Sequence, residues 1–188
     1  MGRRPRQPAD RARWYRESEM WLLGATKRQA SALRMEGFVF SGTSIAAFGR
    51  SRIPRSTIEA YLATEYRIQG DWPLALRIGQ ANERLADLYR RHSVGRAAVL
   101  TAWNPFSEPK SDVENHCAQG QMITELERLG LRHQPGHGAD PTGKWPPEDS
   151  RLVLGADLGT ARFLGRQFQQ NGFVWAAADA TPTLILLR

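Results

Sequence analysis

The chain has 188 residues, of which 41% are hydrophobic and 24% charged, and its formal net charge is +7. This length fits one domain with an appendage, and the hydrophobic fraction is sufficient for a buried core. No apolar run approaches the roughly 18 residues that span a bilayer, and the N-terminus lacks the apolar stretch of a signal peptide. A single cysteine, Cys117, excludes an internal disulfide and suits a reducing compartment. We therefore expect a cytoplasmic protein without a membrane segment.

The basic excess is confined to the N-terminal third of the chain. Residues 1–56 contain 12 Lys and Arg against 4 Asp and Glu, a balance of +8, whereas residues 57–188 contain 14 against 15, a balance of −1. Such asymmetry is typical of an interaction arm or a subdomain. We predict a basic N-terminal extension over residues 1–55, made of a tail, a helix and a short hairpin, and a separate domain over residues 56–188.

Alternating helix and strand patterns follow from residue 56 onward. A Ser-x-x-Glu capping box at Ser56 predicts a first helix, and Asn82, Ser111 and Asp157 are N-caps of three more. The predicted strands cover residues 66–68, 74–78, 97–103, a brief 131–133, 151–156, 172–178 and 182–187. Residues 133–150, rich in Gly and Pro, are expected to form a long loop. This order predicts an α+β fold, with a mixed or antiparallel sheet and helices mainly on one face.

The segment from Thr101 to Asn115 carries the strongest signal for a ligand site. An apolar strand ends there in aromatic and polar side chains, and a capped helix begins directly afterwards. Free N–H groups at a helix N-terminus favour an anion such as phosphate or carboxylate. The candidate ligand-binding residues of this segment are Trp103, Asn104, Ser107, Ser111 and Asn115. The alternative is local structure, with Ser111 as the N-cap and Asn104-Pro105 as a turn.

Three further candidate residues lie outside that segment. Trp145 and Glu148 lie in the predicted loop 133–150, and Gln170 lies between the last helix and the terminal hairpin. If the loop closes over Asn104, Trp145 becomes a lid and Glu148 contacts the ligand, as a hydrogen-bonding group or a general base. The alternatives are an anchoring role for Trp145, a solvated Glu148, and a helix exit at Gln170 and Asn171.

Several short segments resemble a known family. They comprise Leu76 to Gly79, Thr101 to Pro105, Ser107, Ser111, Asn115, Asp140-Pro141, Gly143, Trp145 to Glu148, Ser150, Phe168, Gln170-Asn171 and Val174-Trp175. Over residues 56–187 the chain thereby resembles the bacterial domain-of-unknown-function 3293 family. It departs from that pattern at Gln169, where glycine is expected, and at His137, where an acidic residue is common. The resemblance implies boundaries and a set of residues, and it implies no chemistry.

Other catalytic and metal-binding patterns are weak. The residues His116, Cys117, His133, His137 and Asp140 have no standard zinc-ligand spacing, so we expect no metal site. Cys117 is expected on the apolar stripe of its helix together with Val113, Met122, Leu126 and Leu129, as an inert buried thiol. No serine lies in a nucleophile elbow and no glycine pair forms a phosphate loop, so no cofactor is implied and catalysis stays an open question.

The basic extension has two interpretations. In one, it binds nucleic acid, with phosphate contacts from Arg and Lys and stacking by Trp14 or Tyr15. The residues concerned are Arg3, Arg4, Arg6, Arg11, Arg13, Arg16, Lys27 and Arg28. In the other, its Trp- and Leu-rich side packs against a protein, such as an acidic partner surface. The sequence thus predicts a domain with a site for a small ligand or anion, plus an extension that contacts nucleic acid or a partner; the alternative is a non-catalytic nucleic-acid-associated module or partner-binding subunit.

Overall fold

The computed structural model of the chain describes residues 39–40, 51–143 and 145–188. Within these residues, four helices accompany one eight-stranded sheet. The helices are α1 (Arg55–Ala63), α2 (Glu83–His92), α3 (Asp112–Arg128) and α4 (Leu158–Gln167). The strands are β1 (Val39–Phe40), β2 (Glu65–Ile68), β3 (Leu74–Leu76), β4 (Ala97–Leu100), β5 (His133–Ala139), β6 (Glu148–Leu154), β7 (Gly172–Ala176) and β8 (Pro182–Leu186).

The sheet is antiparallel between all neighbouring strands, in the order β1-β8-β7-β4-β6-β5-β2-β3. The predicted α+β class and an antiparallel sheet are therefore confirmed. Four strands at the centre, β7, β4, β6 and β5, bring together parts of the chain that are far apart in sequence. The C-terminal end of β4 lies beside the N-terminal ends of β6 and β7. We call this end of the three strands the sheet edge. The loop that follows β4 and the loops that precede β6 and β7 lie side by side there.

The sheet separates two hydrophobic cores because its side chains alternate between faces. One core holds Val99, Leu152 and Val174 together with residues of α1 and α2. The other holds Leu100 and Val153 together with residues of α3 and α4. Helices thus pack on both faces, which corrects the expectation that they lie mainly on one. The reason lies in β4, β6, β7 and β8, whose runs of consecutive buried residues present apolar side chains on both sides.

Most of the predicted loop over residues 133–150 is a β-hairpin. Residues 133–139 form β5 and residues 148–154 form β6, so only residues 140–147 connect the two strands. Gly and Pro disfavour strands, but here β5 pairs with β2 on one side and β6 on the other. The absence of a Cβ at Gly136 is required, because such an atom would lie 2.7 Å from the Ile68 side chain and 2.8 Å from the Arg67 carbonyl.

Three of the four predicted helix caps are confirmed. Asn82, Ser111 and Asp157 each accept a hydrogen bond from a first-turn N–H, and Ser111 with Glu114 completes a capping box. The box predicted at Ser56 is wrong: α1 begins at Arg55, and the carbonyl of Pro54 accepts its first hydrogen bonds. Proline pre-sets the backbone ahead of the helix, which leaves Ser56 inside the first turn.

The inward face of α3 differs from the prediction. Met122 and Leu126 are buried as expected, but Val113 is 80% exposed, Cys117 is exposed and Leu129 is only partly covered. The helix instead buries Asn115 and Gln119 in its N-terminal half. The amide of Gln119 accepts the N–H of Ala102 at 2.9 Å, so polar groups of the adjoining loop, rather than apolar surface, decide which face turns inward.

The N-terminal extension lies mostly outside the described residues. Its predicted tail, helix and hairpin, with the basic residues named above, therefore stay predictions. Val39 and Phe40 pair with Ile185 and Leu184 of β8, and Ile53 is buried in the core with α1 and α2. Among the described helices, none is both long and apolar enough to cross a membrane.

We expect Gln169→Gly to stabilise the protein. Gln169 follows α4 in the left-handed region, at φ 53°, and the N–H of Gln170 closes the helix end on Gly165. Glycine adopts this conformation without the Cβ penalty, so the free energy of unfolding should rise by about 0.5–1 kcal/mol. Chemical denaturation measures this change. The matched control is Gln167→Gly inside α4, where glycine should destabilise by a similar amount; a destabilised Gln169→Gly would contradict the prediction.

Candidate functional site

A cavity of about 540 Å³ lies between α1 and the sheet edge at which β4 ends and β6 and β7 begin. It forms because the side chains that face α1 become short or polar toward this edge. Along β6, Leu152 belongs to the core, whereas Ser150 and Glu148 on the same face line the cavity. Its lining includes Tyr61, Tyr66, Trp103, Asn104, Ser107, Trp145, Glu148, Ser150 and Gln170.

Tyr66 and Glu148 face each other across a glycine. Gly138 pairs with Tyr66 on one side and with Glu148 on the other, so the three positions form one row across β2, β5 and β6. Because Gly138 has no side chain, the row is open at its centre. Burial raises the pKa of the Tyr66 phenol, and the nearby carboxylate of Glu148 acts in the same direction. The tyrosine is therefore a neutral group at physiological pH.

Asn104 links the loop after β4 to Glu148 and to α3. Its side-chain N–H donates to Glu148 Oε1 at 2.6 Å. Its Oδ1 accepts from Asn115 Nδ2 at 3.0 Å and from the Lys110 N–H at 3.0 Å, and its own backbone N–H donates to Asn115 Oδ1 at 2.9 Å. Asn115 is 2% exposed and thus serves as the buried clamp that orients Asn104.

The turn that follows has an unusual backbone. Asn104, Phe106 and Ser107 all have positive φ, at 44°, 55° and 61°. Non-glycine residues adopt this region at an energetic cost, and such residues cluster at binding and catalytic sites. Here the turn places the Ser107 hydroxyl 2.5 Å from the hydroxyl of Tyr61 on α1. The buried amide of Asn171 donates to both oxygens, at 3.0 Å and 3.3 Å, and so ties α1 to the turn.

Ser150 lines the cavity and has an unpaired hydroxyl. The residue is 5% exposed, and its Oγ has no hydrogen-bond partner among the described residues. A buried hydroxyl without a partner costs on the order of 1–3 kcal/mol relative to a satisfied one. Groups of this kind in a native structure require an explanation, and a role in binding a ligand is one.

Burial raises the pKa of the Glu148 carboxyl above its ordinary value of 4.5, and the hydrogen bond from Asn104 opposes that rise only in part. Between the unfolded and folded pKa values, the folded protein retains a proton that the unfolded chain has released. Rising pH therefore lowers the free energy of unfolding in this window.

We accordingly expect the stability advantage of Glu148→Gln over the wild type to grow as pH rises from about 4 to about 7. Glutamine preserves the acceptor for Asn104 and cannot titrate. Urea denaturation at several pH values measures the difference between the two proteins, in which the titration of the other carboxyl groups cancels. A difference that shrinks with rising pH would contradict the direction of the pKa shift.

Six of the eight predicted ligand residues line this one cavity: Trp103, Asn104, Ser107, Trp145, Glu148 and Gln170. Ser111 and Asn115 do not line it. Ser111 caps α3, and the side chain of Asn115 orients Asn104 by a hydrogen bond to its Oδ1. The amide of Gln170 donates to the carbonyls of Trp103 and Phe168, so it also shapes the loop.

Sequence reasoning missed the wall formed by α1 and β2. Tyr61 follows Ser56 in the first predicted helix and Tyr66 begins a predicted strand, but no signal in the sequence connects either residue to Asn104. Their place in the cavity depends on the long-range pairing of β2 with β5. For Ser150, the sequence gives one weak indication of a functional role, because the residue belongs to the segments that resemble the family.

The described lining contains one carboxyl group, that of Glu148, and no Lys or Arg side chain. The lining also includes the aromatic residues Tyr61, Tyr66, Trp103 and Trp145. Among the described residues, no group of three or more His, Cys, Asp or Glu is arranged to hold a metal ion. The arrangement suits recognition of an organic molecule through ring faces and a few hydrogen bonds.

Part of the chain matches a known protein family. No curated protein and no solved structure matches the chain. A family model does match, and its span includes the loop after β4, the β5–β6 hairpin and α4, but neither α1 nor β2. Residues 100–172 thus match the family described as "Protein of unknown function (DUF3293)", which confirms the resemblance drawn from the Trp-Asn-Pro and Trp-Pro-Pro-Glu segments.

Proposed function

We propose that the domain binds a small organic molecule in the cavity between α1 and the sheet edge. The observation that carries this proposal is Ser150, a residue of the cavity lining whose buried hydroxyl has no partner among the described residues. A ligand that hydrogen-bonds to Ser150 removes the cost of leaving that group unpaired. The volume of about 540 Å³ is within the range of small-molecule pockets.

Charge supports a neutral or cationic ligand. Glu148 carries the carboxyl group of the described lining, and a carboxylate repels an anion held in the same cavity. The N-terminus of α3, where the sequence predicts an anion, already has its own capping box in Ser111 and Glu114. Anion binding there stays a prediction, and the cavity is the better candidate site.

Ser150→Ala tests the proposal. The variant removes a hydroxyl that has no partner in the free protein, so its stability should equal or slightly exceed that of the wild type. A fragment library of neutral and cationic aromatic compounds, followed by NMR, should give ligands whose shifts map to Trp103 and Trp145. Ser150→Ala should weaken those ligands several-fold, by about 1 kcal/mol.

The matched control is Thr124→Ala, which removes an exposed hydroxyl on α3 that bonds only the carbonyl of Gly120. It should leave affinity unchanged. Binding that maps elsewhere, or a library without any ligand for the cavity, would overturn the proposal. A Ser150→Ala protein that is strongly destabilised without ligand would also contradict the premise that the hydroxyl is unpaired.

The charge asymmetry of the sequence favours a second, separate function for the N-terminal extension. We propose that the basic residues of this extension, which give residues 1–56 a balance of +8, contact nucleic acid. In the full-length chain, Arg3, Arg4, Arg6, Arg11, Arg13 and Arg16 are replaced together by Gln, and affinity for a duplex DNA is measured against salt concentration. Loss of affinity and a smaller salt slope are expected. Unchanged DNA binding would contradict the proposal that the extension contacts nucleic acid. A changed oligomeric state would favour the alternative in which the extension binds a protein partner.

A further inference from the structure

We propose that the ligand of the cavity is a methylated ammonium cation, held between the faces of the aromatic side chains with Glu148 as its counter-charge. This inference rests on the proposed function and adds the chemical class of the ligand. Two independent features of the lining support it, the state of the aromatic side chains and the distribution of charge.

The tyrosines of the cavity offer rings rather than hydroxyl groups. The hydroxyl of Tyr66 donates to the carbonyl of Tyr61 at 3.2 Å, and that of Tyr61 is paired with Ser107. With both hydroxyls engaged inside the protein, the rings are the part of these side chains that is left for contact with a ligand. Trp103 is supported from the side by His116, with the ring centroids 5.0 Å apart in an edge-on arrangement. Trp145, 41% exposed, completes the aromatic part at the entrance.

Aromatic faces attract cations because the ring quadrupole is negative above its plane. Several rings around one cavity are the arrangement that recognises quaternary and methylated ammonium groups. A bare ammonium group requires three hydrogen-bond acceptors when it leaves water, whereas methyl groups pack on apolar surface without them. The floor of the cavity, with Val99, Val174 and Leu184, is such a surface.

Glu148 provides the compensating charge. Its hydrogen bond to Asn104 uses Oε1, and no hydrogen bond of Oε2 is found among the described residues. No basic side chain of the described lining neutralises this carboxylate. A cation within the cavity stabilises the ionised carboxyl over the protonated one. Binding of the cation should therefore tighten as pH rises through the titration of Glu148.

The experiment compares choline with 3,3-dimethyl-1-butanol, its uncharged isostere, by calorimetry and NMR on the full-length protein. Shape and apolar area are matched, so a difference in affinity reports the charge alone. We expect choline to bind more tightly by about tenfold, with shifts at Trp103 and Trp145. Glu148→Gln should remove most of that preference, and Trp103→Leu should weaken choline more than the alcohol. Phe163→Leu, at an exposed aromatic side chain of α4 outside the cavity, should change neither.

The outcomes separate this inference from the proposed function. Equal affinity for both compounds, or tighter binding of the alcohol, overturns the cation inference and leaves the cavity as a binding site for neutral molecules. The cation inference is also overturned if neither compound binds while fragments still bind in the cavity and lose affinity in Ser150→Ala. Absence of any ligand in the cavity overturns both. A choline preference that survives Glu148→Gln unchanged would refute the role of Glu148 as counter-charge.

Discussion

Asn115→Ala is expected to lower the free energy of unfolding by about 3 kcal/mol, a large effect for a polar residue. The side chain is 2% exposed and uses both ends of its amide. It accepts from the Asn104 N–H and donates to Asn104 Oδ1 and the Lys110 carbonyl. Removing it leaves the Asn104 backbone N–H without its partner, takes away one of the two hydrogen bonds that Asn104 Oδ1 accepts, and opens a small void. For a chain of this size the melting temperature should fall by roughly 6–12 °C.

Two further variants identify the cause of that loss. Asn115→Asp conserves shape but replaces the donating N–H with an acceptor that opposes Asn104 Oδ1 and the Lys110 carbonyl. It should destabilise the protein at neutral pH as strongly as alanine, which packing alone does not predict. Gln121→Ala, at an exposed position on the same helix, should lie within about 0.5 kcal/mol of the wild type. A mild Asn115→Ala would show that Asn104 keeps its orientation without the clamp.

Gly172→Ala should also be strongly destabilising, by about 2–3 kcal/mol. Gly172 begins β7 at the edge of the cavity and pairs with Leu186 of β8. A Cβ there would lie 2.6 Å from the backbone carbonyl oxygen of Ile185 and 3.3 Å from the Leu186 side chain. A backbone atom of a paired strand cannot rotate aside as a side chain does, so β7 and β8 have to separate locally.

Gly120→Ala is the matched control for that experiment. Gly120 lies on the exposed side of α3, and a Cβ at its position meets nothing within 4 Å. The same chemical change should here stabilise the protein by about 0.5–1 kcal/mol through helix propensity. Chemical denaturation should therefore show a lower free energy of unfolding for Gly172→Ala and a higher one for Gly120→Ala. Equal signs would mean that the crowding at Gly172 does not limit this edge of the sheet.

Local sequence signals predicted the elements that depend on neighbouring residues. The caps at Asn82, Ser111 and Asp157 were predicted because one side chain and the next helical turn suffice to form them. The polar segment after β4 was identified in the same way. Signals failed where a distant strand decided the outcome, as in residues 133–139, whose glycines and proline suggested a loop but which pair on both sides as β5.

The inward face of α3 illustrates the same limit within a helix. Apolar periodicity pointed to Val113 and Cys117, yet both are exposed, because Asn115 and Gln119 satisfy the backbone of the loop between β4 and α3. The need to pair buried N–H groups outweighed the burial of one valine. The spacing of apolar residues along the sequence gives no information on where that loop lies relative to the helix.

By itself, the sequence determined the charge asymmetry, the α+β class, three helix caps, the family resemblance and the residues from Trp103 to Glu148 at which a ligand was expected. Only the tertiary structure decided that Glu148 meets Asn104, that helices cover both faces of the sheet, and that Tyr61, Tyr66 and Ser150 share one cavity with them. The physical reason is that caps and turns are short-range interactions within one segment. The cavity depends on strand pairing across roughly 50 to 80 residues of chain, which local preferences do not specify.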